Sequence, residues 1–194
     1  RVQGGRVDNI GGQDWIFPSE GQCMECHTSA AGFALGPEIA QLDMDFTYPA
    51  TGRTGNQVAT LDAVNYFSAT PPSGIASLVD PTDAGAPLND RARAYLHTNC
   101  AQCHRPGGPT PSDMDLRYTT PLNSTNACNV TPLQGRLGNP SALLIAPGAP
   151  ENSLVIERAT RRDVHGMPPL GSSIVDAEGI SLLTNWVNDL SSCN

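Results

Sequence analysis

The chain contains no lysine: its 11 basic residues are all arginine, scattered rather than gathered, against 19 acidic ones, for a formal charge of −8. That balance argues against nucleic acid as a partner and favours a cationic or dipolar one. Apolar residues make only 39% of the 194 positions, which is thin for a self-sufficient core over one or two domains. No stretch approaches the roughly 20 apolar residues that a membrane-spanning helix needs, and no signal segment is visible. Arg1 reads as the first residue left after an upstream segment was removed. Plentiful instead are glycine (19) and proline (17), together close to a fifth of the chain. They predict short helices joined by long ordered loops.

Histidine (4) and cysteine (6) are rare, yet they concentrate in two copies of one pattern. Cys23, Met24, Glu25, Cys26 and His27 form the first CxxCH; Cys100, Ala101, Gln102, Cys103 and His104 form the second. Two cysteines three positions apart on one turn can each bond a vinyl group of a heme, and the histidine that follows is then held under the iron. At this composition two chance matches have a probability on the order of one in a hundred thousand. Both are read as attachment sites for heme c, giving two covalently bound cofactors with Cys23, Cys26, Cys100 and Cys103 as anchors and His27 and His104 as axial ligands. Two porphyrins would supply the missing apolar surface. Cys128 and Cys193 remain; an even remainder in a chain exported for heme attachment most simply forms one disulfide, two free buried thiols being the alternative. Export places the protein in the periplasm or outside the cell.

Along the chain, residues 1–13 read as an extended arm and Trp15, Phe17 and Pro18 as an apolar plug. Ser19 and Gln22 have the form of a capping box opening a helix into Cys23. Short helices are predicted over 37–44 and 56–67, then a proline-rich connection over 69–87. Asn89 or Asp90 can cap a helix running into Cys100 and His104, and Ser153 can cap another. Asp176 caps a last helix in which Ile180, Leu183, Trp186 or Val187, and Leu190 share a face. The expected fold is mainly α: cytochrome c-like helical lobes over 1–87 and 88–194, with long Gly/Pro-rich loops wrapped around two c-type hemes.

Helix, CxxCH, long loop, methionine before prolines and a closing helix with an aromatic: over roughly 88–194 the sequence resembles class I c-type cytochromes. The resemblance implies that Met167, in GMPPL, is the sixth ligand of the second heme, its soft thioether aimed by Pro168 and Pro169. It also implies that the carbonyl of Pro106 holds the ring N–H of His104. The stretch DWIFPSEGQCMECHTSAAGFALGPEIAQLD is similar to the N-terminal part of a group of bacterial diheme cytochromes, some fused to or paired with periplasmic quinoprotein sugar dehydrogenases.

The first heme lacks a Met-Pro-Pro segment. Met44 is the nearest candidate ligand by sequence; His97, about two turns before His104 on the same helix, can face a neighbouring heme. Met114 is a weaker choice, His165 a rival to Met167, and Met24 is excluded by its place inside the attachment turn. Two filled axial positions leave no room for substrate, so the expected function is single-electron transfer between redox partner proteins, a quinoprotein dehydrogenase or a terminal acceptor among them. The rival readings are a small diheme peroxidase, which needs an open first heme and a carboxylate such as Glu20, Glu25 or Glu38; a heme-stacking filament subunit; and a four-thiolate zinc site.

Overall fold

The structure, a computed structural model, describes residues 2–194. Helix accounts for 31% of the chain and strand for 11%, so the fold is mixed and the expectation of a mainly α, cytochrome c-like architecture is overturned. The strands lie in the first half. β1 (Arg6–Ile10) pairs antiparallel with β2 (Gln13–Phe17), Val7 opposite Ile16 and Ile10 opposite Gln13. Gly11 and Gly12, at φ 62 and 86, supply the two left-handed residues that a two-residue hairpin turn requires. The predicted arm and plug are therefore the two sides of a hairpin. Trp15 stays half exposed, and the Arg6 guanidinium lies 5.2 Å from the centre of the Phe17 ring.

α1 (Glu20–Cys26) follows at once, opened by the expected capping box: Ser19 Oγ accepts from the Gln22 N–H and Gln22 Oε1 from the Ser19 N–H. α2 (Ile39–Leu42) is a single turn that stops before Met44. A second hairpin intervenes, β3 (Asp45–Tyr48) with β4 (Arg53–Asn56). Asn56 then caps α3 (Gln57–Ala63) through the Ala59 N–H. This helix ends four residues short of Phe67, with Asn65 in the left-handed region.

The core belongs to the second half. α4 (Leu88–Cys100) crosses α6 (Ala177–Asp189), and between them Ala92, Leu96, Leu182, Leu183, Trp186 and Val187 are buried together with Leu116 and Ile145 from the intervening loops. Each large aliphatic or aromatic side chain so buried stabilises by roughly 1.5–3 kcal/mol. A Cβ on Gly179 would lie 2.2 Å from the Tyr95 ring, so a glycine is what lets the two helices touch. Asp176 caps α6 as expected, accepting from the Gly179 N–H, and its other oxygen accepts from the Tyr95 hydroxyl at 2.9 Å. Burial and that neighbouring carboxylate push the Tyr95 phenol upward. Two expected caps do other work. Asn89 accepts from Trp186 Nε1 at 3.1 Å, and Ser153, fully buried before α5 (Leu154–Ala159), accepts from the Ala146 N–H. Cys128 and Cys193 form a disulfide, tying the loop to the C-terminal end.

Among the described residues before α4, Leu78 is the one buried apolar side chain, and α1, α2 and α3 bury none. Val7, Ile10, Trp15, Met24, Phe33, Phe46, Val64 and Tyr66 all stay exposed.

Candidate functional site

The first CxxCH occupies the end of α1. Cys26 is the last helical residue, and the His27 N–H closes the turn on the Cys23 carbonyl at 2.9 Å. Cys23 is exposed and Cys26 half-buried. The chain then folds back through a short turn, where the Phe33 N–H bonds the Thr28 carbonyl and Phe33 adopts φ 62. Its carbonyl is thereby set 2.8 Å from Nδ1 of His27. A carbonyl can only accept, so Nδ1 carries a proton, and the neutral ring has its lone pair at Nε2.

The second CxxCH straddles the end of α4. Cys100 is the last helical residue, and the N–H groups of Cys103 and His104 both reach its carbonyl, at 3.1 and 2.9 Å. Gly108 packs so closely over this turn that a Cβ there would sit 2.0 Å from the Cys103 carbonyl oxygen. Burial pushes the Cys100 thiol up to about 12, and burial together with Cys26 pushes Cys103 up to about 11. Burial also lowers the His104 imidazole, which is therefore neutral at pH 7 with a lone pair to donate. Its Nδ1 is sealed from solvent and has no hydrogen-bond partner. Pro106 sits at the exposed corner of a turn closed by the Gly108 N–H on the Arg105 carbonyl, so its carbonyl does not reach that ring as the resemblance implied.

The two motifs lie together. Cys26 lies near enough to Cys103 to raise its thiol, and the segments on either side are pinned to one another. Arg105 donates to the Ala30 carbonyl at 3.1 Å, Gln102 to the Leu35 carbonyl at 3.4 Å, and Gln41 to the Thr98 hydroxyl at 3.3 Å. Glu38 closes the seam, 3.1 Å from His97 Nε2 and 3.9 Å from the Arg105 guanidinium. His97 Nδ1 accepts from the Tyr118 N–H at 3.0 Å. Both nitrogens of His97 are thus engaged, which leaves it no lone pair for an iron.

No protein family model, curated protein or solved structure matches this chain.

Met167 is half-buried in the loop after α5, its N–H held by the Arg158 carbonyl at 2.9 Å. Met44 is half-buried between α2 and β3, and Met114 packs at the edge of the core. His165 and Met24 are exposed. Of the carboxylates a peroxidase would use, Glu25 is exposed and Glu38 is committed to the seam. Among the described residues no group of three or more His, Cys, Asp and Glu is arranged to hold a metal ion, so the four thiols do not form a ready zinc centre.

The attachment residues fit heme c on both motifs: two thiols per turn, a histidine with its tautomer fixed by Phe33 in one, and a neutral, desolvated histidine in the other. Sequence reasoning missed the Phe33 carbonyl, the Glu38 seam and the nearness of Cys26 to Cys103. The last two join residues far apart in the chain, for which spacing carries no signal.

Proposed function

We propose that the chain is an exported diheme c-type cytochrome that carries single electrons between redox partner proteins, a quinoprotein dehydrogenase or a terminal acceptor being the classes expected. A covalently held heme supplies a one-electron iron couple whose potential is set by its axial ligands. Cys23 and Cys26 would hold one such group and Cys100 and Cys103 the other, with His27 and His104 donating from below.

The observation that carries the reading is the pair of hydrogen bonds that tie the chain after the first CxxCH to the second, Arg105 to the Ala30 carbonyl and Gln102 to the Leu35 carbonyl, which would put the two attachment points side by side in one chain. The Phe33 carbonyl supports it by holding His27 with Nε2 free. The exposed apolar side chains of the first half, with almost nothing buried beneath them, are the surface that a porphyrin would cover. The Cys128–Cys193 disulfide fits an oxidising compartment, the periplasm or the cell exterior. Met167 is the proposed opposite ligand of the second heme and Met44 of the first. The test is the pyridine hemochrome of the purified protein: two c hemes per chain are expected, and one or none overturns the proposal.

A further inference from the structure

The two motif histidines are held in different ways. After His27 the chain turns back on itself: Thr28 caps a short turn through the Ala31 N–H, and its carbonyl accepts from the Phe33 N–H at 2.9 Å. Gly32 and Phe33 are both left-handed, at φ 66 and 62. Glycine takes that region freely, but a bulky phenylalanine is held there against its preference, and such positions gather where a backbone group has been aimed at something. What it aims is the Phe33 carbonyl, 2.8 Å from Nδ1 of His27. His104 has no counterpart. Its own carbonyl accepts from the Leu116 N–H at 2.9 Å, which fixes the backbone against the core, yet Nδ1 of the ring is sealed from solvent with no hydrogen-bond partner among the described residues.

We infer that the Phe33 carbonyl makes the two motifs unequal: by holding the Nδ1 proton of His27 it gives the heme on Cys23 and Cys26 the lower reduction potential, and the heme on Cys100 and Cys103 the higher. A ring N–H bonded to an acceptor makes the other nitrogen the stronger donor, and a stronger donor favours the oxidised iron. Met44 and Met167 are the opposite ligands proposed for the two, so that position does not separate them. Electrons run from the lower potential to the higher. The first half is then the side that takes an electron from a donor protein and the second the side that hands it to an acceptor, each passage oxidising one iron and reducing the other by a single electron. The order of potentials rests on the diheme reading; the difference between the two rings does not.

The experiment has two readouts. On the full chain prepared without heme and isotope-labelled, long-range proton–nitrogen correlation spectra in mildly alkaline buffer show where each imidazole carries its proton. His27, identified by its loss in His27→Gln, should have one fixed tautomer with the proton on Nδ1; a proton on Nε2, or an average of the two, overturns the inference. On the heme-loaded protein, potentiometric titration followed in the visible spectrum should give two one-electron waves. Proline cannot reach the φ of Phe33 and lacks the N–H that bonds Thr28, so Phe33→Pro should move the lower wave up and leave the upper one in place. Phe33→Gly keeps the left-handed turn and the carbonyl and should restore the wild-type pair. Far-UV circular dichroism confirms the fold of each variant, and the wild-type tautomer is read without them. A single wave, an upper wave that moves, or waves indifferent to Phe33→Pro overturns the inference, while two hemes by pyridine hemochrome leave the diheme reading standing. Fewer than two hemes overturns that reading and the order of potentials with it, and the tautomers are still decided on the heme-free chain.

Discussion

Asp115 shows how a single charge is made to serve the core. Arg93 is buried on α4, donating to the backbone carbonyls of Arg117 and Thr120, and Asp115 is the nearby carboxylate that offsets its charge. The hydrogen bonds from Arg117, with that from Thr120, hold Asp115 at about 2. A folded-state value below the unfolded one means that its contribution is complete above about pH 4 and is lost as pH falls through about 2. Asp115→Asn should therefore cost roughly 1.5–3 kcal/mol at neutral pH and flatten the loss of stability in acid. Denaturant titrations at several pH values check this, and a variant with the wild-type acid slope contradicts it. At the candidate site, the bonds to Glu38 and Tyr118 already occupy His97. On the proposed diheme reading, His97→Gln should leave the visible spectrum of both hemes low-spin, whereas Met167→Ala should turn one heme high-spin. The reverse pattern would move the ligand assignment to His97.

At the scale of elements, the crossing of α4 and α6 depends on Gly179 lying against Tyr95. The backbone of α6 and the aromatic ring fill the space a methyl group would need, so Gly179→Ala should destabilise by roughly 1–3 kcal/mol despite its better helix propensity, read as a lower midpoint in thermal unfolding. A midpoint equal to or above the wild type would show that the helices can part at no cost. What the sequence made legible here was local: the Ser19 and Gln22 box, the Asp176 cap and the apolar face of α6 are all set by neighbours within a turn or two. The first hairpin escapes a reading of 1–13 as an extended arm, because what makes it is the turn at Gly11 and Gly12, both left-handed in the structure. Asn89 and Ser153 have the chemistry of caps, but Trp186 and the Ala146 amide claimed them. The CxxCH motifs are visible in the sequence because each spans only five residues. Their proximity is not, being decided by how Arg105, Gln102 and Glu38 join the two halves.

Across the whole molecule, the two halves are held by different means. The second has a packed interior and a disulfide spanning 65 residues, a closure worth about 4 kcal/mol on chain-entropy grounds. The first has two hairpins, three short helices and, among its described residues, one buried leucine, and it meets α4 and the turn beyond through hydrogen bonds and ion pairs such as those at Gln41, Ala30, Leu35 and Glu38. Regions with few buried apolar contacts open at a lower free energy than those that hold the core. Native-state hydrogen exchange on the heme-free chain should therefore show amides of β1 to β4 and α3 exchanging by local opening, while those of α4 and α6 wait for global unfolding; uniform protection would refute this. A seam of amides and ions lets go without melting anything behind it. Salt and mild urea should thus act as a latch release, letting the leading half swing away and separating the two CxxCH turns, while the trailing half keeps its shape.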